Sequence, residues 1–200
     1  MQGSGTAVDV FQRLASFTIR RKVFKIFGAS FHVYDDSGKV VAFSSQKAFK
    51  LKEDIRVYTD ESMSTELLVI KAQKIIDFSS GYGIVDPRDG EAVGLARRKG
   101  WKSIVRDSWE LLNGEGDLVG KLEEDSLALA LVRRFLTPLV PQKFHLKSPD
   151  GREQCRLQVH FNPFIYRLSV KVSPDCAIDR RLVFATAVLI AAIEGRQQDG

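Results

Sequence analysis

This chain is poor in the residues that carry chemistry. Its two cysteines, Cys155 and Cys176, form no CxxC pair. That leaves out a zinc ribbon and a thioredoxin-type motif, and fits a reducing compartment. Its three histidines, His32, His145 and His160, have no second ligand at helical or hairpin spacing. His32 and His160 fall at outward positions of strand patterns and read as ordinary surface residues. Neither HExxH nor a GxSxG elbow is present. With no nucleophile, base or metal constellation in view, the reading is non-enzymatic, with no cofactor and no metal. No apolar run reaches the roughly 20 residues that a membrane span needs. The N-terminus has no basic region followed by an apolar run, and Gln2 stands where myristoylation requires glycine. The expectation is a cytoplasmic protein whose residues 1–12 form a flexible N-terminus.

What is present is an ordinary apolar fraction, 44%, and a modest positive balance, +5 at pH 7. Two hundred residues are ample for a sizeable core. From Phe17 onward, short apolar-rich runs alternate with turn signals. Ser30–Tyr34 and Lys39–Phe43 flank the turn Asp35–Gly38. Ile55–Thr59 and Glu66–Ala72 flank Asp60–Ser64, and Tyr82–Val85 and Ala92–Arg97 flank Asp86–Gly90. Ser108–Leu112 and Leu118–Leu122 flank Asn113–Gly116, and Lys143–Lys147 and Glu153–Phe161 flank Ser148–Gly151. Each reads as a hairpin, with Gly38 and Gly90 expected at positive φ. Alternation is cleanest at the end. Leu157, Val159 and Phe161 face one way, and Arg156, Gln158 and His160 the other. Tyr166, Leu168, Val170 and Val172 point inward, while Arg167, Ser169 and Lys171 point outward. This is antiparallel sheet with one wet face.

Residues 179–195 are of another kind. Between Leu182 and Ile193 only Thr186 is not apolar. Asp179 suits an N-cap, Ile178 and Val183 a hydrophobic staple, and Gly195 the C′ position. A helix that is apolar all round must be surrounded. The run is too short for lipid, so protein has to wrap it. About 12 strands would strain as a flat sheet, and closing them around the helix removes the edges and covers the helix together. The predicted fold is therefore all-β: a closed antiparallel barrel around a hydrophobic helix, in one domain spanning 13–197. Residues 126–136 alternate like a strand but consist of helix formers, with Ser126 as a cap and Pro138 as a stop. The preferred reading is a short helix set as a plug or lid.

Candidate binding chemistry is basic. Arg97, Arg98, Lys99, Lys102 and Arg106 surround Trp101. Tryptophan favours a bilayer interface, and clustered Lys and Arg attract anionic headgroups. Arg20, Arg21, Lys22 and Lys25 form a second cluster, and Lys47, Lys50 and Lys52 a third. Without an RNP or KH signature, nucleic acid is the less favoured partner. Gly81–Gly83 and Gly114–Gly116 superficially suggest phosphate loops. Neither joins a strand to a helix N-terminus, so both are read as turns.

Repeated strand–DxxG–strand units, beginning with FHVYDDSGKVV at Phe31–Val41 and ending in the apolar helix after Asp179, resemble the Tubby C-terminal-like superfamily. That superfamily includes the phospholipid scramblases and the LURP-one-related proteins. The resemblance covers about Phe17 to Arg196 and implies a 12-stranded closed barrel threaded by its C-terminal helix. It also implies phosphoinositide binding through surface Lys and Arg. Scramblases carry a calcium motif before the last helix, where this chain has Asp175 and Asp179. Their palmitoylated cysteine stretch and proline-rich arm have no counterpart here. The expected function is a non-enzymatic module for anionic lipid or phosphoinositide headgroups, peripheral to a membrane. The alternatives are a protein-interaction scaffold and a scramblase-like protein that inserts its last helix.

Overall fold

The computed structural model describes residues 10–24, 28–46, 54–74, 80–98, 108–124, 142–160, 162 and 165–194. The strands are β1 (Ser16–Phe24), β2 (Gly28–Tyr34), β3 (Val40–Gln46), β4 (Asp54–Tyr58), β5 (Glu66–Lys74) and β6 (Ser80–Val85). They continue as β7 (Ala92–Arg98), β8 (Ser108–Asn113), β9 (Leu118–Glu124), β10 (Lys143–Lys147), β11 (Glu153–His160) and β12 (Tyr166–Val172). The last element is the helix α1 (Arg180–Glu194). Each strand pairs with its sequence neighbours, and β12 returns antiparallel to β1, which closes the barrel. The expected architecture is therefore the observed one.

The inward positions are those the alternation marks. On β11, Cys155, Leu157 and Val159 are buried, and on β12 Tyr166, Leu168, Val170 and Val172. The turns supply the special backbone that hairpins need: Gly38 has φ +82° and Gly90 φ +76°. Gly81 and Gly83 depart from expectation, because they lie inside β6 rather than in a turn. A Cβ on Gly83 would come within 2.3 Å of the Gln73 amide, which glycine leaves room for.

Helix α1 fills the barrel. Every residue from Leu182 to Ala192 is buried. Asp179 caps it, accepting the Arg181 backbone N–H at 2.8 Å on Oδ1. Thr186, the only polar residue in the run, donates its hydroxyl to the Leu182 carbonyl at 2.7 Å. Its O–H donor is thereby satisfied within the helix itself. Gly94 lets the helix come close: a Cβ there would meet the Leu112 carbonyl at 2.3 Å and the Leu182 side chain at 3.1 Å. Among the described residues, no helix is long and apolar enough to cross a membrane. Inserting α1 into lipid would require the barrel to open.

The described residues reach back before residue 13. Residues 10–13 form a helical turn. Phe11, inside the stretch set aside as a flexible N-terminus, is 1% exposed and packs edge-on against Phe184 at 5.0 Å. Phe17 approaches the same ring at 5.1 Å. Residues 126–136 and Gly195 lie outside the described residues.

Candidate functional site: a cationic outer wall

The strands divide the predicted basic clusters between the two faces of the sheet. Arg97 and Arg98 close β7. Arg97 stands directly opposite Glu110 on β8 and bonds it at 2.7 Å. Glu110 is 5% exposed, so its carboxylate is largely desolvated, while the Arg97 side chain is 36% exposed. Arg98 shares the inward parity of Ala96 and lies opposite Trp109, with its guanidinium 6.0 Å from that ring. Lys99, Trp101, Lys102 and Arg106 lie outside the described residues, as do Lys25, Lys47, Lys50 and Lys52.

The second cluster splits likewise. Arg20 points outward and is exposed, its guanidinium 4.6 Å above the Tyr34 ring. Arg21 points inward and is 3% exposed, against Phe31. Glu124, opposite Phe144, is a second charged residue buried inside the barrel. Neither was visible as an interior residue in the sequence, since an arginine in a basic run carries no mark of which face it takes.

Cations do converge on the outer face of β1, β12, β11 and β10. The strand registers arrange them in rows across the sheet. In one row Arg20 stands opposite Arg167, and Arg167 opposite His160. Four residues along β12, roughly 13 Å at 3.3 Å per residue, Lys171 stands opposite Arg156, and Arg156 opposite His145. Thr18, Ser169 and Gln158 make a neutral, hydrogen-bonding row between them. Lys143 and Lys147 add two exposed ammonium groups on β10. The only carboxylate described on this wall is Glu153. It accepts from His145 Nδ1 at 2.6 Å and from Arg156 at 2.8 Å. The His145 hydrogen bond, helped by Arg156 against a smaller burial penalty, holds Glu153 below the usual carboxylate range. Among the described residues, no carboxylate pairs with Arg20, Lys143, Lys147, Arg167 or Lys171.

Like charges directly opposite in a sheet destabilise it by roughly 0.2–1 kcal/mol per pair. The wall keeps two such Lys/Arg pairs. Negative charge is gathered elsewhere. The tight turns 35–39, 59–65, 86–91 and 113–117 each carry two or three carboxylates. One of them anchors the helix: Arg181 reaches Asp86 at 3.2 Å, Glu91 at 2.7 Å and Asp179 at 2.7 Å. Burial opposes ionisation of Asp86, but hydrogen bonds and charge from Arg88, joined by Arg181, outweigh it and hold the carboxyl below its usual range.

His32 corrects the surface reading. Its outward parity is as expected, yet it is 7% exposed. Phe43 covers it edge-on at 5.0 Å and Glu61 bonds its Nε2 at 2.6 Å. His160 is half-buried and bonds Ser169 at 2.8 Å. Asp179, one of the two carboxylates weighed for calcium, is taken by the helix cap and by Arg181. Burial raises the pKa of both Cys155 and Cys176, so neither thiol is a ready nucleophile.

Compared with models of known protein families and with curated proteins, the chain matches none.

Proposed function

We propose that the protein is a non-enzymatic module that binds anionic lipid headgroups, phosphoinositides among them, on the outer wall of β1, β12, β11 and β10. The observation that carries this reading is the pair of cation rows, Arg20–Arg167 and Lys171–Arg156, in which like charges stand directly opposite one another and only Arg156 has a carboxylate partner, Glu153. A surface that keeps like charges at a cost to its own stability suits a partner of opposite sign. The resemblance to the Tubby C-terminal-like superfamily points the same way. Lys99, Trp101, Lys102 and Arg106 keep their proposed part in headgroup binding on sequence grounds. Arg97 and Arg98 are engaged by Glu110 and Trp109. Attachment is peripheral, because α1 stays inside the barrel.

The test is co-sedimentation with neutral phosphatidylcholine vesicles and with vesicles containing phosphatidylserine or a phosphoinositide. Wild type should bind only the anionic vesicles, more weakly as salt rises. Each Lys or Arg near such a surface contributes about 1 kcal/mol, so Arg20→Glu with Arg167→Glu should weaken binding by at least about thirtyfold. If wild type ignores anionic vesicles at low salt, the reading fails and a protein-interaction scaffold takes its place.

A further inference from the structure

The row of Lys171 and Arg156 does not end on open sheet. Beyond it β12 ends at Val172, and Ser173 and Pro174 begin the connection to the helix. This leaves a recess of about 250 Å³ lined by Glu153, Cys155, Arg156, Lys171, Val172, Ser173 and Pro174. Cys155 and Val172 are buried and form its inner side. Its position is fixed by hydrogen bonds on the neighbouring backbone. Ser173 N–H donates to the Gln154 carbonyl at 2.9 Å, and Ala177 N–H to Gln154 Oε1 at 2.7 Å.

From this geometry we infer that the recess is a subsite for a phosphate monoester, entered end-on by the terminal phosphate of a headgroup; the inference rests on the anionic-headgroup reading of the same wall.

The donors come from three sources. Lys171 supplies an ammonium with no carboxylate partner among the described residues. Arg156 is oriented by Glu153 through a single nitrogen, Nη2, at 2.8 and 3.1 Å, which leaves its other N–H donors available. Ser173 supplies a hydroxyl. A monoester carries about 1.5 to 2 negative charges at pH 7 and three terminal oxygens. It can meet donors from three sides while its one ester arm leads out. A diester has one charge, two terminal oxygens and a second arm that the inner side of the recess would obstruct. Glu153 also lines the recess; its carboxylate is engaged by His145 and Arg156, which leaves Lys171 as the lining cation without a carboxylate partner among the described residues.

The experiment compares vesicles doped with phosphatidic acid, a monoester, and with phosphatidylglycerol, a diester, matched for surface charge. Glycerol 3-phosphate serves as a soluble monoester, followed by NMR. Wild type should prefer the phosphatidic acid vesicles by about tenfold, the worth of one added charge-assisted hydrogen bond. Lys171→Ala with Ser173→Ala should abolish that preference while phosphatidylglycerol binding persists. Lys143→Ala, on the same wall outside the recess, should lower both by the same factor. Thermal midpoints should confirm that all variants fold. Equal binding of the two lipids by wild type, or a preference untouched by the double variant, would overturn the subsite. If neither anionic vesicle binds, the wall reading fails. In that case glycerol 3-phosphate shifts seen in wild type and lost in the double variant would keep the subsite as one for a soluble monoester, and their absence would remove it as well.

Discussion

Two places on the barrel pair charged residues across neighbouring strands, and they do it with opposite logic. On β7 and β8, Arg97 faces Glu110, and the pair is neutral with its carboxylate buried. On β1, β12 and β11, Arg20 faces Arg167 and Lys171 faces Arg156, all four exposed, with Glu153 beside Arg156 as the one carboxylate partner. The first region looked the more functional in sequence, because its cations are consecutive. The second is assembled from strands at opposite ends of the chain. Consecutive strand residues point to opposite faces, so a dense basic run is divided by the sheet. Cations two or four residues apart on neighbouring strands are what a sheet brings together.

The comparison depends first on the barrel being closed around α1, and the largest effect should come from removing that support. Leu189→Arg places an unpaired charge at a position 1% exposed. It should cost several kcal/mol and unfold the domain without detergent. Urea melting measures this, and a soluble variant of unchanged midpoint would show that the helix is not enclosed.

A second test concerns the one charged network that clearly serves the fold. Asp86 is fully buried among Arg88, Arg181 and the β6–β7 turn. Asp86→Asn leaves those arginines without their buried anion and should cost on the order of 3 kcal/mol. The pH dependence follows from the lowered pKa of Asp86. A carboxyl depressed in the folded state adds stability above its unfolded value, near 3.9. That stability is lost as pH falls through the folded value. Wild-type urea midpoints should therefore drop below about pH 4, and those of Asp86→Asn should drop less steeply. Parallel curves would mean that Asp86 is not the coupled group.

The smallest effect sharpens the comparison most directly, because the two regions should respond with opposite sign. Arg97→Glu sets a carboxylate opposite the buried Glu110 and should destabilise by about 1–2 kcal/mol. Arg167→Glu sets one opposite Arg20 and should be neutral or stabilising by up to about 1 kcal/mol, while weakening anionic vesicle binding. Thermal melts and co-sedimentation on the same two variants decide it. Equal destabilisation by both would erase the distinction between a structural and a functional charge pair.

Much of the fold was legible because it rests on local signals. Two-residue alternation marked β11 and β12, acidic glycine turns marked the hairpins, and the apolar run after Asp179 marked a helix that had to be enclosed. The outward set Arg156, Gln158, His160, Arg167, Ser169 and Lys171 was also legible, strand by strand. Its significance was not, because register decides that Arg156 meets Lys171 rather than a carboxylate. His32 shows the same limit. Parity assigned it outward, but only the placement of Phe43 and of the 59–65 turn buried it. Phe11 lay in a stretch with no periodicity to flag it, yet the ring of Phe184 gives it a place in the core.

By itself, the order of residues determined which segments are strands, where they turn, which side chains alternate inward, and that the final helix needs a complete wall. These follow from propensity, turn geometry and the cost of exposing apolar surface, all of which act over a few residues. Only the tertiary structure decided which charges face one another. Cross-strand distances near 5 Å join residues remote in the chain, and whether a cation meets Glu110 or another cation is set by the pairing of whole strands.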